Sequence, residues 1–184
     1  MDLHTEQLYV VDESDKVIGQ ESRDIIHKKG LLHREVHVWV YNDKNEILFQ
    51  RRSPTKETHP NLLDASAGGH VDMEDTYESA AIHELEEETG IKATDADLRF
   101  IKKIRHKGFD KQTGKINNTF LKSYAYKIRD GDTLRLEEGK ATNLEWWLLE
   151  KIFNLTDEES EDFIPKIFSD KYLDVYKAIQ RLIK

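Results

Sequence analysis

Residues Gly68–Ile91 read GGHVDMEDTYESAAIHELEEETGI, two glycines, an acidic loop, a run rich in glutamate and a closing Thr-Gly-Ile. Tyr77, Ala81, Ile82 and Leu85 recur at helical spacing, which predicts an amphipathic helix over 76–89. Gly90 is its expected stop. At about 100° per residue those four side chains make one apolar stripe facing a core. Glu84, Glu87 and Glu88 fall on the neighbouring stripe with Ala80, while Glu86 points to solvent. Gly68-Gly69 reads as a turn leading into the loop.

Such convergence is electrostatically unfavourable. Glu84 and Glu88 form a like-charged i,i+4 pair, and all three carboxylates sit where the helix dipole opposes negative charge. A bound cation relieves both costs. Carboxylate oxygens suit a hard divalent ion, Mg²⁺ or Mn²⁺, better than zinc. The ordinary reading of such a run is a solvated acidic face, but here the glutamates border the apolar stripe instead of opposing it.

The stretch resembles the Nudix box: Gly, five residues, Glu, seven residues, then Arg-Glu-apolar-x-Glu-Glu-x-Gly-apolar. In this chain the pattern runs from Gly69 to Ile91 with its spacing intact. Asp75 stands in the Glu position and His83 in the Arg position. The resemblance implies Glu84, Glu87 and Glu88 as metal ligands and catalytic carboxylates, with the Gly68 carbonyl as a further ligand. It also implies an arginine that holds the first glutamate, a task His83 could perform with fewer donors and a pH-dependent charge.

Working outward, Leu8–Val11 and Lys16–Ile18 read as a hairpin around an acidic turn, and Ser22–Lys29 as a short helix stopped by Gly30. Residues 35–42 alternate β-branched and aromatic side chains, turn at 43–45 and return as a second strand over 46–52. Arg51 and Arg52 end that strand on opposite faces, so one of the two contacts ligand. Residues 53–66 read as a loop. After the box, 98–106, 119–128 and 144–149 are strand candidates, and 107–118 is a polar loop suited to a substrate mouth. Trp146 and Trp147 read as packing. Ser169–Ile183 reads as a closing helix with Leu173, Tyr176, Ile179 and Leu182 or Ile183 inward. The order predicts an α/β fold. It agrees with the fold that the resemblance implies, an α/β/α sandwich with a mixed β-sheet, an N-terminal β-hairpin and a C-terminal helix, one domain over 1–184.

The flanks, from about Val10 to Glu150, resemble the isopentenyl-diphosphate isomerases and their hydrolase-like relatives. VVDESDKVIGQ, LLHREVHVWVYNDKNEILFQRRSPTK and PNLLDASAGGH carry that likeness. Isomerase chemistry needs a cysteine where this chain has Gly68 and a glutamate placed at Asn118. Its diphosphate-binding arginine is replaced by Glu84. Its metal histidines are echoed by His33 and His70, with His27 one residue out of register. Arg52 and Lys56 match diphosphate-binding positions, and His70 is either a ligand contact or a turn residue. The expectation is a Mg²⁺-dependent pyrophosphohydrolase acting on a nucleoside diphosphate linked to another moiety, or on a related organic diphosphate. Two alternatives stay open, a non-catalytic nucleotide-binding Nudix domain and an isomerase. Glu137 and Glu138 are further candidates for the base.

The 184 residues, 35% of them charged, carry a net charge of −8, which disfavours a non-specific nucleic-acid partner. With no cysteine, disulfides, zinc thiolates and thiol nucleophiles are excluded. The N-terminus lacks a basic-then-apolar signal segment and no apolar run reaches membrane-span length. A small-molecule diphosphate, no membrane and a cytoplasmic location are expected. The N-terminal hairpin could serve as a homodimer contact.

Overall fold

Strict alternation decides the centre of the sheet. In β3 (His33–Tyr41), Val36, Val38 and Val40 face one core while Trp39 and Tyr41 face another. The computed structural model describes residues 6–184; the first five, part of the stretch read above for a signal segment, lie outside the described residues. The first core is closed by α2 (Tyr77–Thr89) and the second by α5 (Asp170–Ile183), which gives the expected α/β/α sandwich.

Around β3 stand β4 (Glu46–Arg52), β5 (Leu63–Asp64), β6 (Ala67–His70), β7 (Leu98–Phe109), β8 (Ile116–Lys127) and β9 (Ala141–Leu148). The order is β5-β4-β3-β8-β7, with β6 also on β3 and β9 on β4. β3 and β8 run parallel and the other pairs antiparallel, so the sheet is mixed. The N-terminal hairpin is a separate two-stranded sheet, β1 (Gln7–Val11) and β2 (Val17–Ser22). Next comes α1 (Arg23–Lys29), ended at Gly30 with φ 65°. Two single-turn helices, α3 (Leu149–Ile152) and α4 (Asp157–Ser160), and a 3-10 turn at Pro165–Phe168 join β9 to α5.

One edge of β3 is shared. Residues 35–38 pair with β6, and further along Tyr41 pairs with Ile47 of β4. At this fork Ser66 replaces the missing ladder: its Oγ accepts from Val40 N at 2.8 Å and donates to Leu48 O.

Four expectations are corrected. Gly68-Gly69 is extended strand, not a turn; its glycines serve close approach rather than a left-handed backbone. Residues 53–66 are not all loop, because β5 and the start of the fork lie within them. The 107–118 segment is mostly a continued two-stranded arm, with Phe109 opposite Ile116 and a turn only over 110–115. Polar side chains did not prevent pairing, since the ladder is made by backbone. Finally, both helix stripes are rotated. In α2 the buried set includes Ala80 and Glu88, while Ile82 is only partly buried, because two adjacent alanines let that face approach the sheet. In α5 the buried set is Tyr172, Val175, Tyr176 and Ile179; Leu173 is peripheral and Leu182 exposed. The two tyrosines pack edge-on against Trp39, outcompeting leucines for the interior.

Candidate active site

α2 is fixed at both ends. Thr76 caps its start in a reciprocal pair with Ser79, and Gly90, at φ 78°, ends it. Between them Glu84 and Glu88, one turn apart, face the backbone of β6. A Cβ on Gly69 would overlap the Glu84 carboxylate, and one on Gly68 would lie 2.7 Å from Val36 O. Gly68 is therefore demanded by packing against backbone, and Gly69 leaves the space that the Glu84 carboxylate occupies. Glu88 is 6% exposed and accepts from Gly68 N at 3.0 Å and from Gln50 Nε2 at 3.2 Å. Burial pushes both carboxyl groups well above the usual range, and for Glu84 the Glu88 charge adds to it. Glu87 stands at the rim, 61% exposed, with Lys140 Nζ at 3.6 Å. Glu86 turns aside to Lys92 at 3.4 Å.

The two departures from the box pattern touch each other. His83 Nδ1 lies 3.2 Å from Asp75 Oδ2, on the exposed side of the helix. It does not hold Glu84, contrary to expectation: at its place on α2 the ring projects to solvent. Backbone and Gln50 support Glu88 instead.

The adjacent arginines part as strand alternation requires. Arg51 is bound to Glu145 at 2.6 Å and Asp162 at 2.8 Å. Arg52 binds the carbonyls of Thr58 and His59 and lies 3.3 Å from Asp64. It thus shapes the 53–62 loop that carries Lys56. Lys56 is half-buried and makes no ion pair among the described residues; burial holds its pKa down against the pull of the Glu88 charge.

A model of the NUDIX domain matches residues 31–167. The chain belongs to the Nudix family. It is 37% identical over 99 residues to an uncharacterized Nudix hydrolase of Clostridium acetobutylicum, covering 52% of this chain and 48% of that one. To one of Nostoc it is 46% identical over 87 residues, covering 47% and 52%. The matches thus span about half the length of these curated relatives. Among solved structures, Deinococcus radiodurans DR0079 superposes with a TM-score of 0.70 at 23% identity, covering 94% of this chain and 99% of that one. The NUDIX domain of Shewanella oneidensis NrtR, solved with ADP-ribose, superposes at 0.54 and 13%, covering 84% and 88%. These superpositions establish the Nudix fold.

On the other face of the Nudix sheet, His70 stands in β6 opposite Glu35 of β3, so it is not a turn residue. Its Nε2 is 3.2 Å from His27 Nε2 and 3.8 Å from Glu35 Oε1, and its Nδ1 is 3.6 Å from Glu6. His33 completes the group. One ligand atom from each of His27, His33 and His70 falls within 4.8 Å of the others, an arrangement that could hold a metal ion. His27, out of register in sequence, reaches the group from the end of α1. Burial lowers His27 and His33 to about 4, so both stay neutral, and His33 Nε2 has no hydrogen-bond partner among the described residues. Asn118 does not face this group: it donates to Gly30 O and accepts from Arg105, while Asn117 and Thr119 bond Glu35.

Sequence reasoning missed Gln50, Glu35 and Lys140. Gln50 carried a signal, a polar residue inside an apolar strand; Lys140, 49 residues past the end of the box in sequence, carried none.

Proposed function

We propose that this chain hydrolyses the diphosphate bond of an organic diphosphate, a nucleoside diphosphate linked to another moiety being the leading class, with Mg²⁺ or Mn²⁺. The observation that carries this reading is the pair of inward-facing carboxylates, the half-buried Glu84 and the buried Glu88, built against side-chain-free backbone with Glu87 at their rim. Burying two like charges is costly, and a divalent cation offsets it. The donor set, carboxylate oxygens with the Gly68 carbonyl at hand, fits such an ion. When bound, the ion would supply charge neutralisation at phosphate and acidify water.

The chain's own residues do the rest. Glu84, Glu87 and Glu88 hold the cation and the Gly68 carbonyl assists. Gln50 and Gly68 N orient Glu88 from behind. Glu84 or Glu88 takes the proton of the attacking water as the new P–O bond forms and the bridging P–O bond breaks. Lys56 meets the diphosphate; Arg52 holds the loop from which Lys56 extends; His70 stays with His27 and His33 on the opposite face of the sheet. Gly68 has no side chain to act as the acid that alkene isomerisation needs, which removes support from that alternative.

³¹P NMR with Mg²⁺ against nucleoside diphosphates and triphosphates, dinucleotides, nucleotide sugars, ADP-ribose and prenyl diphosphates tests this directly. New phosphorus signals are expected, suppressed at least about a hundredfold in Glu87→Gln/Glu88→Gln. No turnover of any member with either metal sinks the hydrolase reading, and ligand-induced rise of the melting temperature would then favour a binding domain.

A further inference from the structure

Lys140 lies in the turn between β8 and β9, far from the box in sequence, yet its ammonium reaches the rim of the carboxylate site. Nζ is 2.9 Å from Glu137 Oε2 and 3.6 Å from Glu87 Oε2. The backbone presses it there: Lys140 N donates to Glu137 O at 3.3 Å, and Lys140 O accepts from Ser53 N at 3.0 Å, at the start of the loop carrying Lys56. Gly139, at φ 81°, permits the tight turn. The side chain is one-third exposed, so the head group has room to swing. Although burial opposes its charge, Glu137, Glu84 and Glu88 outweigh that and push Lys140 up to about 12.

We propose that Lys140 is a resident counter-cation of the carboxylate site that yields its place to the divalent ion and turns to the diphosphate. This rests on the proposed hydrolase reading. The reasoning is one of exclusion by charge. Glu87 cannot serve an ammonium and a divalent cation at once without bringing two positive charges together, which is electrostatically unfavourable. Once displaced, the ammonium remains tethered by Glu137 and by its turn, at the mouth where an anionic phosphate arrives. A lysine on a flexible stem suits such a relocation better than an arginine would. The consequence is linkage: metal alone binds weakly, diphosphate alone binds weakly, and each strengthens the other, because the phosphate accepts the ammonium that the metal evicts.

Lys140→Met separates this from a structural role. Mn²⁺ is titrated by electron paramagnetic resonance without substrate; then methylenediphosphonate is titrated calorimetrically in saturating Mn²⁺. Removing the competing ammonium should tighten Mn²⁺ about tenfold, while removing the phosphate's partner should weaken the diphosphonate about tenfold. A lysine that merely braces the turn would lower the melting temperature and leave Mn²⁺ affinity unchanged or weaker, which overturns the proposal; so does unaltered diphosphonate affinity. Lys140→Arg, which keeps the charge and the turn, should retain the wild-type Mn²⁺ affinity within about threefold. Wild-type chain that turns over no diphosphate but shows the same opposed shifts would refute the hydrolase reading and leave the role of Lys140 standing.

Discussion

At position 69 a single methyl group would overlap the Glu84 carboxylate, so Gly69→Ala either displaces that glutamate or moves β6 off α2. Both outcomes disturb the proposed cation site. Urea denaturation should show a loss of about 1–3 kcal/mol, the range for overpacking, and Mn²⁺ titration a weaker site. Unchanged stability and affinity would mean the helix yields freely and the glycine is incidental. The sequence announced that these two glycines mattered but not why. A Gly-Gly pair is read first as a turn, because backbone freedom is visible in one dimension; close approach to a helix that starts eight residues downstream is not. The same limit hid Gln50 and Lys140, whose roles depend on what the fold sets beside them.

At the scale of the element, α2 was the most legible part of the chain. Its stop and length follow from Gly90 and a local period, both matched by the structure, which adds Thr76 as its cap. Its rotation was less so, because the wheel ranks side chains by apolarity while packing ranks them by shape. Ala80 and Ala81 won the contact over Ile82, and that roll carried Glu84 and Glu88 inward. The roll also sends His83 outward to Asp75, which predicts that His83 is peripheral to the chemistry. His83→Ala should cost less than about 1 kcal/mol in chemical denaturation, as for exposed ion pairs, and leave diphosphate turnover within about threefold. A hundredfold loss of rate would show that His83 reaches Glu84 during the reaction. The arm of β7 and β8 was the least legible element. Polar residues such as Lys107, Asn117 and Asn118 carry no pattern for a strand whose ladder is backbone alone.

Across the whole molecule, buried titratable groups pull stability in opposite directions. Glu84 and Glu88 have folded pKa values raised above the ordinary 4.5, so the folded chain keeps protons that the unfolded chain has released. Their contribution is fully present below about 4.5 and is lost as pH rises through the raised values. His27, His33 and His37, lowered to about 4 by burial, behave oppositely, losing stability as pH falls from 6.5. Comparing wild type with Glu84→Gln in chelator isolates the glutamates. Between about pH 5 and 8 the wild-type melting temperature should fall by roughly 2–4 °C relative to the variant, and saturating Mg²⁺ should erase the difference. Parallel curves would show that the carboxylates are not strained. The layered architecture was readable from the order of elements, whereas the fork in the β3 edge was not, since one hydroxyl, Ser66, decides it. That fork divides the sheet into two plates that meet along a seam. Glu88 grips both, taking Gln50 from the β4 plate and Gly68 from the β6 plate. The carboxylate that would hold the cation is thus also a rivet, and on the proposed reading loading or emptying the site would alter how freely the two plates shear.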